Sequence, residues 1–188
     1  MIVLIVVLAV LALVVLYAIV VYNGMIGARN RVDEAWSGVD VQLKRRHDLV
    51  PNLVESVRAY AEHERQTMQA VLDARARAMA ASGPAASGAA EGVLDQALGR
   101  LLAVAEAFPQ LRAAETFREL QEELANTEDQ IAASRRIYNG NVQAYNTKIQ
   151  VFPNSLVARL GSFAPREYFE LDDVRDREPV RVDFSPPA

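Results

Sequence analysis

The chain opens with an unbroken run of apolar residues. Residues 2–21 carry one tyrosine and no charged side chain. A helix of this length, rising about 1.5 Å per residue, reaches roughly 30 Å, which is the thickness of the hydrocarbon core of a bilayer. A helix also satisfies its own backbone hydrogen bonds in lipid. We therefore predict a transmembrane anchor over residues 1–22.

A cleaved signal peptide is the alternative interpretation of this run. Such a peptide needs a basic region before the apolar residues and small residues at a cleavage site. The sequence shows neither feature, since only Met1 precedes the run. The pattern favours an anchor that is retained.

A second hydrophobic pattern follows the anchor, with apolar residues in alternating steps of four and three. Its members are Val32, Trp36, Val39, Leu43, Val50, Leu53, Val57 and Tyr60, with Arg46 at the step between Leu43 and Val50. Flanking apolar residues widen the stripe, namely Val41, Leu49, Val54 and Ala61. A 3.5-residue repeat is typical of helices that pack side by side, as in a coiled coil, and a wide stripe indicates more than one partner helix.

Two features could interrupt this first long helix. Asn23, Gly24 and Gly27 weaken it just after the anchor, which predicts a soft joint. Pro51 removes a helical hydrogen bond and clashes with the preceding turn. The stripe keeps its phase across Pro51, as in a kinked continuous helix, but a break with Asp48 capping a new helix fits as well. The sequence leaves both possibilities open.

The rest of the chain predicts two or three more helices and a tail. Residues 60–81 favour a helix, residues 82–92 read as a Gly- and Ser-rich loop, and residues 93–104 form a short apolar helix that stops near Pro109. A last long helix covers residues 113–150. We place the helical bundle at residues 23–150 and a mostly irregular tail at 151–188, with a turn of helix at 155–161 and an isolated strand at 179–184.

Composition excludes several kinds of chemistry. There is no cysteine, so disulfides and thiolate sites are absent, and the net charge of -4 disfavours a nucleic-acid partner. His63 and Glu64 begin a zinc-protease motif, but Thr67 stands where the second histidine belongs. We expect no catalytic residue, cofactor or metal site, and hence no enzyme.

Charged residues after the apolar run predict its orientation. Arg29, Arg31 and the basic residues at 44–46 follow the span closely. Positive residues resist translocation, so we expect the N-terminus outside and the bundle in the cytoplasm, at the inner membrane of a bacterial cell.

Polar residues crowd the stripe near Pro51 and face a polar set on the last helix. This candidate seam consists of Trp36, Arg45, Arg46, His47, Asp48, Asn52, Arg135, Tyr138, Asn139, Tyr145 and Asn146. One interpretation is a buried polar network that fixes the register of the bundle. The other is a recognition site for a partner chain. For Arg46 we expect burial and pairing with Asp or Asn side chains of a neighbouring helix. The candidates considered are Asp48, Asn52, Asn139 and Asn141.

Several ordered motifs resemble the LemA family. They are residues 30–33, residues 35–54, residues 101–106, residues 120–124, the Tyr-Asn pairs at 138–139 and 145–146, and residues 165–169. The resemblance covers nearly the whole chain after the anchor. It implies a membrane-anchored, all-α protein with an antiparallel four-helix bundle, and it implies no enzymatic activity.

The sequence thus predicts a single-pass membrane protein with a cytoplasmic interaction or scaffolding module. We expect a homo-oligomer, because Ala-rich faces at residues 69–81 extend the apolar surface, and another membrane protein is a further possible partner. The alternative function is a regulatory subunit of a membrane enzyme complex. A transport assembly is disfavoured, because the span contains no ionisable side chain.

Overall fold

The computed structural model describes residues 1–170, which form helices joined by short turns and end in an extended segment. The helices are α1 (Ile2–Arg58), α2 (Arg65–Ala80), α3 (Pro84–Glu106), α4 (Pro109–Ala113), α5 (Glu115–Gln150) and α6 (Asn154–Leu160). No strand occurs within this range. The strand predicted at 179–184 lies outside the described residues. The predicted all-α class is confirmed.

Helix α1 runs for 57 residues from the apolar run into the bundle. Within residues 1–170 it is the one helix long and apolar enough to cross a membrane, and its most apolar stretch is 0% buried. Below this stretch the same helix enters the core, where Val21, Met25 and Ala28 are buried. The predicted soft joint is instead packed, because Lys148 Nζ on α5 donates to the Gly24 carbonyl at 2.8 Å.

Helices α1 and α5 pack antiparallel along most of their length. Lys148 contacts Gly24, Asn141 donates to the Arg31 carbonyl, and Arg45 pairs with Glu123. As the residue number increases along α1, the number of the contacted residue on α5 decreases, which is the pattern of two antiparallel helices. This pair forms the frame to which the other helices attach.

The core has two parts along this frame. The core nearer to the apolar run of α1 joins α1 and α5 with Ala158 of α6 and with Phe169, which lies in an extended segment near the end of the described residues. The farther core is lined by all four of α1, α2, α3 and α5, through residues such as Val50, Met68, Leu94 and Phe117. The farther part is the four-helix bundle that the sequence predicts.

Pro51 lies inside α1 without ending it, so the continuous alternative is the correct one. Proline has no N–H to donate to the carbonyl four residues earlier, which is that of His47. Arg75 on α2 replaces this donor, with its Nε at 2.6 Å from the His47 carbonyl oxygen. Pro51 therefore leaves the His47 carbonyl free to accept a hydrogen bond from α2.

Two predicted boundaries are wrong. Helix α2 begins at Arg65, after turns that leave Tyr60 exposed, and α3 begins at Pro84, so residues 84–92 are helical. Gly88 is buried in α3 because the extended segment crosses it. A Cβ built there would overlap the Glu170 carbonyl group, whose carbon would lie at 3.0 Å. The small residues that read as a loop instead allow close packing.

The stripe on α1 is otherwise confirmed. Its members from Val32 to Val57 are buried, except for Trp36, which is half-buried. Val41 was expected to widen the apolar face, but its side chain is 62% exposed. Val54 on α1 and Ala61, just after its end, are instead buried in the core that α1 shares with the other helices.

Candidate functional site

A repeated Tyr-Asn pair on α5 holds the extended segment, residues 163–170. The pairs are Tyr138-Asn139 and Tyr145-Asn146, spaced by seven residues. Seven residues are nearly two full helical turns, so both pairs lie on one face of α5. We call this face the Tyr-Asn ladder.

Each asparagine of the ladder binds one backbone residue of the segment twice. Asn139 Nδ2 donates to the Phe169 carbonyl at 3.0 Å, and the Phe169 N–H donates to Asn139 Oδ1 at 3.0 Å. Asn146 Nδ2 donates to the Arg166 carbonyl at 2.9 Å, and the Arg166 N–H donates to Asn146 Oδ1 at 2.8 Å. The amides thus pair with the segment as a neighbouring strand would.

The two tyrosines supply the remaining donors. Tyr138 Oη donates to the Glu167 carbonyl at 2.7 Å, and Tyr145 Oη donates to the Ala164 carbonyl at 3.0 Å. Burial raises the pKa of both phenols above the ordinary tyrosine value. The phenols therefore stay protonated and donate at neutral pH.

Aromatic packing and one ion pair attach the extended segment to α1. The Trp36 ring contacts the rings of Tyr138 and Phe169, with centroids at 5.3 and 5.6 Å. Arg166 Nη2 lies 2.7 Å from Asp33 Oδ1. A shallow cleft between α1, the start of α3 and the segment is lined by Asp33, Trp36 and Arg166, among others.

Five residues of the predicted seam therefore meet at one site: Trp36, Tyr138, Asn139, Tyr145 and Asn146. Sequence reasoning missed their partner, residues 164–169, which it assigned to the tail. The two Tyr-Asn pairs, spaced by seven residues, could have indicated such a partner, because amides and phenols on one buried helix face need hydrogen-bond partners.

A second cluster surrounds Arg46 in the farther half of the molecule. The Arg46 side chain is 0% exposed. Its guanidinium hydrogen-bonds to Asp95 and lies 3.6 Å from Glu91 and 3.4 Å from Glu128. His47 Nε2 and Glu91 Oε1 form a hydrogen bond at 2.6 Å. We call these five residues the charge cluster; it joins α1, α3 and α5.

The predicted burial of Arg46 is confirmed, and so is an aspartate partner on a neighbouring helix, since Asp95 belongs to α3. The four residues named as candidates are wrong. Asp48 and Asn52 are exposed on α1, while Asn139 and Asn141 bond to the segment and to the Arg31 carbonyl. The actual carboxylates come from α3 and α5. Glu91 was missed because its region was read as a loop, which concealed that it occupies a buried helical face.

The other seam residues belong to neither group. Arg45 pairs with Glu123 on the surface, and Arg135 is half-buried on α5. Within residues 1–170 no three His, Asp or Glu side chains converge in a way that could hold a metal ion. The chemistry present is therefore recognition of a polypeptide backbone at the ladder and ion pairing at the charge cluster.

These features define a class of all-α protein: one potential membrane-spanning helix continues into an antiparallel bundle. The chain belongs to the LemA family, whose sequence profile matches residues 35–184. It is 24% identical over 164 residues to Protein LemA of Metamycoplasma hominis, covering 87% of this chain and 74% of that protein.

The chain is also similar to two proteins that carry the name magnetosome protein. Identity is 27% over 175 residues to MamQ 1 of Paramagnetospirillum magneticum and 26% over 174 residues to MamQ of Magnetospirillum gryphiswaldense. In both cases the match covers 79% of this chain and 64% of the relative. The chain thus spans just under two thirds of the length of these relatives.

Proposed function

We propose that this protein is a membrane-anchored, non-enzymatic interaction module that presents its bundle at the cytoplasmic face and self-associates. The observation that carries the proposal is the continuity of α1. One helix supplies the exposed apolar span and then the core residues Val21, Met25 and Val32. Cleavage just after the span would cut α1 between the buried residues Val21 and Met25, inside the packed core, which supports an anchor rather than a signal peptide.

The charge pattern supports the cytoplasmic placement of the bundle. Arg29 and Arg31 lie within the first turns after the span, and no acidic residue precedes Asp33. Basic residues near the end of a span favour the cytoplasmic side.

An exposed apolar face on α2, rather than the buried ionisable residues, supports an interaction role. The buried ionisable residues Arg46, His47 and Glu91 are paired with one another or with nearby carboxylates, so they are not free to bind a partner. On α2, Met79 is 56% exposed beside the exposed Ala76 and Ala80. This small apolar face is the surface that we propose for self-association.

The test is the mass of the full chain in mild detergent. Tagged protein is purified from its native membrane, and light scattering measures the mass of the protein component across a concentration series. We expect a homo-oligomer. Met79→Glu should weaken it, whereas Val41→Glu, at a similarly exposed site on α1, should leave it intact.

The outcomes separate the alternatives. A strictly monomeric chain at every concentration would contradict self-association. Stoichiometric recovery of a different membrane protein would instead favour the regulatory-subunit function.

A further inference from the structure

The corner between α5 and α6 exposes large apolar side chains at one end of the bundle. We define the α5–α6 corner as residues 151–160. Within it Phe152 is 80% exposed and Leu160 89% exposed, and Val151 and Leu156 are each about half exposed. Four such side chains within ten residues form a concentrated apolar surface, unlike singly scattered exposed residues.

Contacts with α1 place this corner beside the end of the membrane span. Tyr17 Oη donates to Asn154 Oδ1 at 3.0 Å, and the Tyr22 ring packs edge-on against Phe163 with centroids 5.3 Å apart. Lys148, just before the corner, bonds to the Gly24 carbonyl. The corner therefore lies level with residues 17–24, where the apolar run ends.

Tyrosines mark the same level. Tyr17 and Tyr22 are 44% and 42% exposed. Amphipathic rings favour the boundary between acyl chains and headgroups, so these residues locate that boundary on α1. A side chain that projects from the corner at this height meets lipid.

Among the described residues, the charged side chains at this end of the molecule are positive. Neither residues 1–32 nor residues 130–166 contain an aspartate or glutamate. Because α1 and α5 are antiparallel, the parts of these stretches that belong to the bundle lie side by side, as the contacts of Gly24 with Lys148 and of Arg31 with Asn141 show. Lys148 precedes the corner, Arg159 lies within it, and Arg29 lies over the Phe163 ring at 5.8 Å. This pattern complements anionic headgroups.

We infer that the α5–α6 corner is a second membrane contact, in which Phe152 and Leu160 enter the headgroup–acyl boundary of the bilayer that α1 crosses. Its partner is lipid with anionic headgroups, held by apolar burial and by the adjacent basic side chains. The bundle then sits on the membrane at two points. This inference rests on the anchoring of α1.

The chain contains no cysteine, so single spin labels can be attached at chosen sites. The full chain is placed in nanodiscs of phosphatidylcholine and phosphatidylglycerol. Labels at Phe152→Cys and Leu160→Cys are compared with a lipid reference, Leu13→Cys, and a water reference, Ile137→Cys. Ile137 is 63% exposed on α5 and Leu13 is 66% exposed in the span, so all four sites start as accessible.

Collision with oxygen, which concentrates in lipid, and with a water-soluble nickel chelate reports the surroundings of each label. We expect the labels at 152 and 160 to resemble Leu13→Cys, with high oxygen and low nickel accessibility. Values equal to those of Ile137→Cys would overturn the inference, as would spin–spin broadening showing that a second copy covers the corner. Water exposure at Leu13→Cys as well would contradict the anchoring itself, so the two failures are distinguishable.

Discussion

Arg46 joins three helices through its single charged group. It leaves α1, lies between Glu91 and Asp95 of α3 and reaches Glu128 of α5. A buried ion cluster adds little stability compared with well-packed apolar residues, because desolvation opposes the attraction between the charges. Removing one member of a buried ion pair is costly, because the remaining charge stays in the interior with fewer partners.

We predict that Arg46→Ala destabilises the protein by about 3–5 kcal/mol, because Glu91 loses the guanidinium beside it in the interior and keeps only His47 as a partner among residues 1–170. Arg77→Ala is the matched control. Arg77 is exposed on α2 and bonds only to the Asp73 carbonyl of its own helix, so its loss should cost less than about 1 kcal/mol. The measurement is unfolding of the full chain in detergent, followed by the fluorescence of its one tryptophan. Equal, small effects would show that the charge at position 46 is solvated.

The pairing of Pro51 with Arg75 makes a second prediction. Arg75→Ala leaves the His47 carbonyl without a donor, which should cost about 1–3 kcal/mol. In a Pro51→Ala background the new N–H of residue 51 can bond to that carbonyl, so the same substitution should cost clearly less. A double-mutant cycle on thermal unfolding measures the difference. Equal costs in both backgrounds would show that Arg75 acts through packing alone.

At the scale of elements, hydrophobic periodicity predicted the long helices well. Residues 113–150 were expected to be helical and α5 covers Glu115–Gln150, because an extended stripe determines both the type of an element and its buried face. Residues 84–92 were wrongly predicted to be a loop, because Gly and Ser favour loops locally, whereas tertiary packing makes this stretch helical. Gly88 lies against the segment from residue 163 onwards, about 80 positions away in the chain, and no local pattern contains that information.

Gly88 therefore has an effect that its helix propensity does not predict. Gly88→Ala should fail to stabilise α3, because the new Cβ displaces the Glu170 backbone and loosens the extended segment. Gly99 is exposed in the same helix with nothing within 4 Å of a Cβ, so Gly99→Ala should stabilise by about 0.5–1 kcal/mol. Comparison of the two thermal midpoints checks this. A similar gain at both positions would mean that the segment does not press on Gly88.

The Tyr-Asn ladder can be tested at single amides. Asn139→Ala removes both hydrogen bonds to Phe169, worth about 1–3 kcal/mol together, so the Phe169 amide should exchange with deuterium roughly 10–100 times faster. Asn141→Ala provides the control, since within residues 1–170 the Asn141 side chain bonds to the Arg31 carbonyl and not to the extended segment. Unchanged exchange at Phe169 in Asn139→Ala would contradict the ladder.

Only one side of the candidate site, the side chains on α5, could be predicted from the sequence. Its α5 side chains stand out as polar residues in a heptad stripe, where burial requires partners. The partners are backbone groups of residues 164–169, and every residue offers the same N–H and C=O, so the sequence does not identify which segment binds. The carboxylates around Arg46 likewise depend on which helices are neighbours.

For the whole molecule, the orientation of the bundle is the property on which any partner depends. We predict that a cysteine at Val41, which is 62% exposed, is not labelled by a membrane-impermeant maleimide added to intact cells or spheroplasts. Labelling should appear once the membrane is permeabilised. Labelling before permeabilisation would place the bundle, and its partners, on the other side.

If α1 crosses the membrane as we propose, its unbroken course has a mechanical consequence. A span that is too long for a thin bilayer tilts to keep its apolar residues in hydrocarbon, and tilts of about 20° are ordinary. Because span and bundle share one rod, the bundle must lean by the same angle. The part of α1 from residue 22 to residue 58 is roughly 54 Å long, so such a tilt swings its far end sideways by about 18 Å. The helix is thus a lever that converts bilayer thickness into the position of the bundle tip.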